Sequence, residues 1–176
     1  RDTFQPVTVR AYVLSGQLGH IYADLSIDLP LQQGELILHA TPGNWMFEEH
    51  NEYCDIRVWA ILTDGHGTLI NGAPILFSSN RSRFWYDRGG INRLNFEPFD
   101  LQPPIRYTGP GNDGETANAR LQDDDPRGNA GVWLRGYEDE FFVDPLGREM
   151  TVQIDAQIEG RNDVSADPVF VRVTRH

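Results

Sequence analysis

Histidines, one cysteine and clustered carboxylates are the residues of this 176-residue chain that could do chemistry. The histidines show no HExxH or HxH spacing of a metalloenzyme: they are His20, His39, His50, His66 and His176. Nucleophile-elbow, phosphate-loop and dinucleotide-binding motifs are also missing from the sequence. Glu138 and Glu140 form a carboxylate pair, but the sequence places no cleft around them. We therefore expect no catalytic residues, no cofactor and no enzymatic activity.

Carboxylates are dense in two polar runs, at Asp113 and from Asp123 to Asp125. Because Ca²⁺ takes about six to eight oxygen ligands and accepts irregular loops, the candidate calcium ligands are Asp113, Asp123, Asp124 and Asp125. Neither run has the alternating Asp-x-Asp-x-Asp-Gly spacing of a calcium loop. The sequence favours solvated acidic turns over a metal site.

Cys54 is the only cysteine, which excludes an intramolecular disulfide and a thiolate metal cluster. It shares its parity along the chain with Ile56 and Val58. This parity predicts a buried, unreactive thiol.

Charge and hydropathy exclude two classes of partner. The net charge of −11 and the sequence pI near 4.7 argue against nucleic acid, since binding to phosphates needs a basic face. An anionic membrane surface would repel the chain as well. No stretch approaches the roughly 18 consecutive apolar residues of a membrane-spanning helix, so no membrane insertion is predicted.

Residues 54–79 contain the elements that organise the rest of the chain. From Cys54 to Leu62 every second side chain is apolar, which places these side chains on one face of a strand. Residues 63–67 then supply an Asp and two Gly, which form tight turns. The apolar alternation resumes from Ala73 to Phe77. The pattern predicts two strands in the core of a β-sandwich.

Within this segment the run VWAILTDGHGTLINGAPILFSS resembles the group-one bacterial immunoglobulin-like domains of the invasin and intimin type. In that family a strand ends in Thr-Asp, a Gly-containing turn follows, and a G-x-P-V-x-F strand comes next. Residues 125–134, DPRGNAGVWL, resemble the family's entry to a later strand, and residues 152–156 with 164–173 resemble its final hairpin. The resemblance covers roughly residues 35–175. It implies an extracellular, non-enzymatic rod or adhesion module.

Residues 1–33 precede the part that resembles the family. They predict two strand patterns with a turn between them, as a hairpin or as two separate strands. These strands either extend the sandwich of the same chain or pair with a neighbouring subunit by β-strand addition to an open sheet edge. The apolar face of the first strand supplies four candidate interface residues: Val7, Val9, Ala11 and Val13.

Trp59 and Ile61 have the opposite parity to the predicted core residues, so they point away from the core. Large apolar groups on an outer face usually meet a partner or a covering segment. Both residues are therefore further candidates for a subunit interface.

Between residues 80 and 125 the sequence mixes aromatic residues with Arg, Asn, Gly and four prolines. The prolines exclude a long helix, so we expect a loop-rich insertion with one short strand at 81–86. Arginines among aromatic rings permit Arg-on-ring or sugar-ring stacking, and the candidate ligand-stacking residues are Trp85, Tyr86 and Tyr107. Packing of the loops is the alternative role of these rings.

Together these patterns predict an all-β protein with an immunoglobulin-like antiparallel β-sandwich of about seven to nine strands. The sandwich spans residues 34–176, with the irregular insertion at about 80–125, and follows an additional N-terminal strand or hairpin at 1–33. The predicted function is an extracellular or cell-surface structural protein that self-assembles through β-strand addition, as a homo-oligomer, a fibre, a pilus-like filament or an adhesin stalk. The alternative is a glycan- or protein-binding module of a larger secreted or surface protein.

Overall fold

The computed structural model describes residues 7–15, 19–27, 34–49, 52–87, 96–100, 102–109 and 128–176, with Asp87 and the first two ranges described as backbone alone. Apart from one helical turn, α1 (Glu138–Phe141), the described elements are strands. The first two, β1 (Val7–Ser15) and β2 (Gly19–Ile27), form a two-stranded antiparallel sheet of their own. The prediction of an all-β protein is confirmed.

Five strands form one layer of the sandwich, sheet I. They are β3 (Gly34–Thr41), β5 (Tyr53–Asp64), β7 (Arg83–Asp87), β8 (Phe96–Pro98) and β10 (Asn129–Tyr137). Their spatial order is β3-β5-β10-β7-β8, and every neighbouring pair is antiparallel. The two longest ladders join β5 to β3 and to β10, so β5 lies at the centre of this sheet's pairing.

Six strands form the opposite layer, sheet II. They are β4 (Asn44–Phe47), β6 (Pro74–Ser79), β9 (Ile105–Tyr107), β11 (Glu149–Ile158), β12 (Arg161–Ser165) and β13 (Val169–Arg175). The order is β4-β13-β11-β6-β9, and β12 also pairs with β11. All pairs are antiparallel except β4 with β13, which run parallel.

Chain order and pairing together give the immunoglobulin topology. In constant-type immunoglobulin domains, strands A, B, E and D form one sheet and strands C, F and G form the other. Here β3, β5, β10 and β7 take the first four places, and β6, β11 and β13 take the other three. The prediction of an immunoglobulin-like antiparallel sandwich is confirmed.

The core lies between the sheets and contains alternate residues of each strand. Burial alternates strictly along β5 from Tyr53 to Leu62, and the five residues predicted for its core face are inaccessible to solvent. The other strands of the core contribute further buried side chains, with Val169 half-buried at the margin: they include Ile75, Phe77, Leu134, Val152, Ile154, Val169 and Val171. Burying one such aliphatic side chain contributes about 1.5–3 kcal/mol.

The turn after β5 has the chemistry expected from its sequence. The Oδ1 atom of Asp64 accepts hydrogen bonds from the backbone N–H groups of His66 and Thr68, both at 2.8 Å. Gly67 has φ of 81°, a conformation that glycine adopts without steric cost. These contacts fix the exit of β5 and direct the chain towards β6.

The expected loop-rich insertion at about 80–125 lies partly outside the described residues, and its short strand predicted at 81–86 agrees with β7. Its described part contains β7, β8 and β9, and β7 takes a regular place in sheet I beside β10. Within the described residues the two sheets contain eleven strands, against the seven to nine expected. Strands of three to five residues are too short to show a period of two, and the neighbouring prolines resemble loop sequence.

Candidate interaction surfaces

The N-terminal hairpin pairs along its whole length, from Val7 opposite Ile27 to Ser15 opposite Gly19. Positions that face each other across an antiparallel ladder share one side of the sheet, and so does every second position along a strand. Apart from Ser15 and Gly19 at the turn end, one side of the hairpin therefore contains apolar residue types: Val7, Val9, Ala11, Val13, Ile21, Ala23, Leu25 and Ile27. The other side carries Arg10 opposite Asp24. The hairpin is amphipathic, with its four predicted interface positions on the apolar side.

The hairpin is not an extension of either sheet, since within the described ranges β1 and β2 pair with each other alone. β1 is hydrogen-bonded on one side by β2, so it is half of a hairpin rather than a lone strand. The outer edges of both strands are nine residues long.

The edges of the sandwich are different. At one side β8 and β9 have three residues each, with Pro98 in β8 and Pro103-Pro104 just before β9. At the other side β4 has four residues, and β3 packs against β12 and β13 of the opposite sheet. Short edge strands with nearby prolines discourage pairing with a foreign strand. Among the described strands of the sandwich, none at an exposed edge could pair with all nine residues of β1.

A cluster of aromatic rings around Arg135 covers part of the outer face of sheet I. The guanidinium carbon of Arg135 lies 3.8 Å from the ring centroid of Tyr53 and 4.4 Å from that of Phe96. Its Nε donates a 2.6 Å hydrogen bond to Oδ1 of Asp55. Cation–π contacts of this kind contribute about 0.5–2 kcal/mol each, depending on desolvation. The cation is thus held between two rings and a carboxylate.

Further rings close this cluster on both sides. The indole N–H of Trp85 donates to the backbone carbonyl of Arg135 at 3.0 Å, and the Phe96 ring meets Trp133 edge-on at 5.2 Å. Tyr53 and Tyr137 have ring centroids 3.9 Å apart, and their hydrogen bond and partial burial raise the pKa of Tyr53. The cluster stiffens the outer face across β5, β10, β7 and β8.

Trp59 and Ile61 lie on the same outer face, nearer to β3. Ile61 stands opposite Ile37, which is 41% exposed, and Trp59 stands opposite His39. The imidazole and indole rings stack with centroids 5.2 Å apart and planes 23° apart. Both predicted interface residues are half-buried and point away from the core, as their parity indicated. Their contact with another subunit stays a prediction.

The three predicted stacking residues do not share a surface. Trp85 belongs to the outer face of sheet I, whereas Tyr86, the next residue of β7, lies on the other side against Phe99 and donates to Glu97 at 2.9 Å. Tyr107 is in β9 of sheet II, opposite Pro74. One ligand cannot stack on all three rings in this arrangement.

The candidate calcium ligands Asp113, Asp123, Asp124 and Asp125 lie outside the described residues. In the ranges that the structure covers, no three His, Cys, Asp or Glu side chains converge as a metal site would require. Cys54 is fully buried in β5, and this burial raises the pKa of its thiol. The thiol is therefore protonated and shielded at neutral pH, as the sequence indicated.

Sequence reasoning missed the connection between α1 and β11, where Arg175 holds the backbone in place. Its guanidinium donates to the carbonyl oxygens of Asp144, Pro145 and Gly147, and it pairs with Glu138 at 2.7 Å. The Arg175 and Glu138 side chains are only 13% and 11% exposed. Arg175 and Glu138 are 37 positions apart in the sequence, so no local sequence pattern predicts their contact.

No helix in the described part of the chain has the length and apolar character needed to cross a membrane.

Comparison with known proteins gives no assignment from sequence: no family model and no curated protein matches the chain. Among solved structures, the ASH or PapD-like domain 7 of human CEP192 matches with a TM-score of 0.34. The identity is 10%, and the match covers 79% of this chain and 83% of that one. The resemblance to invasin- and intimin-type domains therefore stays a prediction from the residues quoted above.

Proposed function

We propose that this chain is a non-enzymatic structural module whose copies associate through the N-terminal hairpin, building an extracellular fibre, filament or stalk. The observation that supports it is the amphipathic hairpin β1–β2, which pairs with neither sheet of a sandwich that already has all seven strands of the immunoglobulin topology. The extracellular location rests on the resemblance of residues 35–175 to bacterial immunoglobulin-like domains.

The stability of small sheets supports an assembling role. An isolated two-stranded hairpin is at best marginally stable in water, and about three strands with an apolar face, or packing against another element, are needed for stability. The apolar side of this hairpin contains four valine or alanine positions in β1 and four apolar positions in β2. Adding strands to the hairpin or covering that side stabilises it, so association and hairpin folding favour each other.

The outer face of sheet I near β3 is the surface we assign to a second contact between copies. Ile37 and Ile61 stand side by side there, next to the stacked pair of His39 and Trp59. Apolar groups on an otherwise polar outer face are common at contact sites. Trp is also among the residue types that contribute most to binding energy at interfaces.

Sedimentation velocity on the full chain and on residues 34–176 tests this proposal. We expect concentration-dependent oligomers of the full chain at tens of micromolar and a monomer for residues 34–176. The shorter chain should keep its folded sandwich, since every strand of both sheets lies within it. A full chain that stays monomeric would contradict the proposal, as would a shortened chain that associates equally well.

A ligand-binding module is the second candidate, favoured by the rings and cations of the outer face of sheet I. The guanidinium of Arg57, an exposed residue, lies 5.9 Å from the Trp59 ring centroid. A half-buried ring beside an exposed cation suits a saccharide with acidic groups, because the ring stacks and the cation pairs. Binding of the full chain to an array of acidic and neutral glycans, lost in Trp59→Ala and kept in Phe170→Ala on sheet II, would support this function.

A further inference from the structure

We infer that two copies pair through the outer edges of β1, antiparallel and about a two-fold axis at Ala11, to form one four-stranded sheet. This inference deepens the proposed self-association by naming the contact, and it rests on that proposed function. It replaces donation of a strand into the sandwich with pairing of hairpin to hairpin.

The strand edges available for pairing differ in length. β1 has nine residues. Among the edge strands described for the sandwich, β4, β8 and β9 have three or four residues, and β3 has eight but packs against β12 and β13 of the opposite sheet. Prolines beside β8 and β9 restrict pairing further, because proline has no N–H to donate. The edge of a second hairpin therefore matches the whole length of β1, which none of the edge strands described for the sandwich does.

The two outer edges of the hairpin differ in how close they lie to the attached sandwich. β2 ends at Ile27 and β3 begins at Gly34, so β2 is the strand joined directly to the sandwich. A neighbour that approaches the outer edge of β2 must avoid the sandwich attached through residues 28–33. Val7 of β1 stands opposite Ile27, so the outer edge of β1 lies one strand further from that attachment than the outer edge of β2, and it is the more accessible of the two.

The register between the β1 strands of the two copies follows from the position of the two-fold axis. Symmetric pairing about Ala11 places Ala11 of one copy opposite Ala11 of the other, and Val9 opposite Val13. The same ladder places Arg10 opposite Tyr12, so no two residues of like charge occupy opposite positions. Because residues opposite each other share a side, the apolar sides of the two hairpins join into one continuous apolar surface.

Size sets the expected strength of this contact. Nine residues at about 3.3 Å each make an edge about 30 Å long, and a strip about 10 Å high buries roughly 300 Å² per copy. Specific stable interfaces bury about 1,200–2,000 Å² in total. Edge pairing alone therefore gives a weak, concentration-dependent dimer. A two-fold contact closes on itself, so a longer assembly needs a second surface such as the outer face of sheet I.

Disulfide trapping of single-cysteine variants tests the inference. Residues opposite each other in an antiparallel ladder have Cα atoms about 4.5–5.5 Å apart, within the range of about 4.4–6.8 Å that a disulfide spans. Ala11→Cys should therefore form a disulfide-linked dimer in a glutathione buffer at tens of micromolar protein. Ala23→Cys, the matching position of β2, should form several-fold less. Wild-type protein is the control for Cys54, whose burial should keep it from crosslinking.

An equimolar mixture of Val9→Cys and Val13→Cys gives an independent reading of the register, and we expect a crosslinked heterodimer from it. Crosslinking of Ala23→Cys that equals or exceeds that of Ala11→Cys would overturn the choice of β1. If the full chain sediments as an oligomer but neither Ala11→Cys nor the mixture crosslinks, edge pairing is wrong and the proposed function stands. If the full chain is a monomer and nothing crosslinks, both are wrong.

Discussion

Arg175 shows how one side chain organises an irregular segment at the residue scale. It satisfies three backbone carbonyls of residues 144–147 and pairs with the largely buried Glu138, while its guanidinium lies 4.6 Å from the Phe142 ring centroid. Unpaired buried carbonyls and carboxylates are costly, so this one cation stabilises a connection that has few contacts of its own.

Replacing Arg175 with methionine should lower the free energy of unfolding by about 3 kcal/mol, since it leaves a buried carboxylate and several carbonyls without a donor. Urea denaturation measures the loss. Arg172→Met is the matched control: Arg172 pairs with Glu149 at 2.6 Å, but the two side chains are 57% and 54% exposed. In the same measurement, the control should change the free energy of unfolding very little. Equal losses in both variants would contradict this account of Arg175.

Asp64 makes the turn after β5 sensitive to pH. Backbone hydrogen bonds from Thr68 and His66 hold the pKa of its carboxyl below the ordinary value. A lowered folded-state pKa contributes stability that is present above the unfolded pKa, about 3.9, and is lost as pH falls through the folded value.

Asp64→Asn keeps the acceptor oxygen but removes its charge. Its melting temperature should fall below that of the wild type at pH 7, and the difference should be smaller at pH 2, because protons bind to the wild-type carboxyl as pH falls below the unfolded pKa. Scanning calorimetry at both pH values measures this, with Asp167→Asn in the exposed connection before β13 as the control. A difference that is the same at both pH values would show that the charge of Asp64 plays no part.

At the scale of elements, Thr108 connects β9 to the segment before β6. Its Oγ1 accepts a 3.0 Å hydrogen bond from the N–H of Ala73 and donates a 2.6 Å hydrogen bond to the carbonyl of Ile70. Thr108 is 3% exposed, so neither backbone group has water as an alternative partner at this site.

Thr108→Val keeps the shape of the side chain and removes both hydrogen bonds. We expect a loss of about 2 kcal/mol in unfolding free energy, because two buried backbone groups lose their partner. Thr108→Ser, which keeps the hydroxyl, is the matched control and should lose less. If serine and valine cost the same, the missing methyl group rather than the hydrogen bonds would explain the effect.

Whether a strand can be predicted from the sequence depends on its length and on the strands with which it pairs. β5 and β11 are long and alternate strictly between the core and the outside, so a period of two revealed both strands and their core residues. β7, β8 and β9 have three to five residues, and their pairing with distant strands decides their place. The same reasoning identified Trp59 as outward-facing, whereas the cluster around Arg135 depends on four strands that come together only in the fold.

At the scale of the whole molecule, the chain combines a complete immunoglobulin-like sandwich with a hairpin that neither sheet includes. In the sandwich the edge strands β4, β8 and β9 are short, with prolines in or beside β8 and β9, and β3 packs against the opposite sheet. The hairpin has two nine-residue edges and one apolar side. The net charge of −11 keeps copies apart in general, so contacts between them have to be local and specific. This division of roles is the central claim.

Hydrogen–deuterium exchange at two protein concentrations tests that claim most directly. Because the hairpin is marginal alone, its amides in residues 7–27 should exchange rapidly at about 1 μM and become protected at about 100 μM. The amides of β5, β10 and β11 should stay protected equally at both concentrations. Hairpin amides that exchange equally fast, or are equally protected, at both concentrations would contradict an assembling role for residues 7–27.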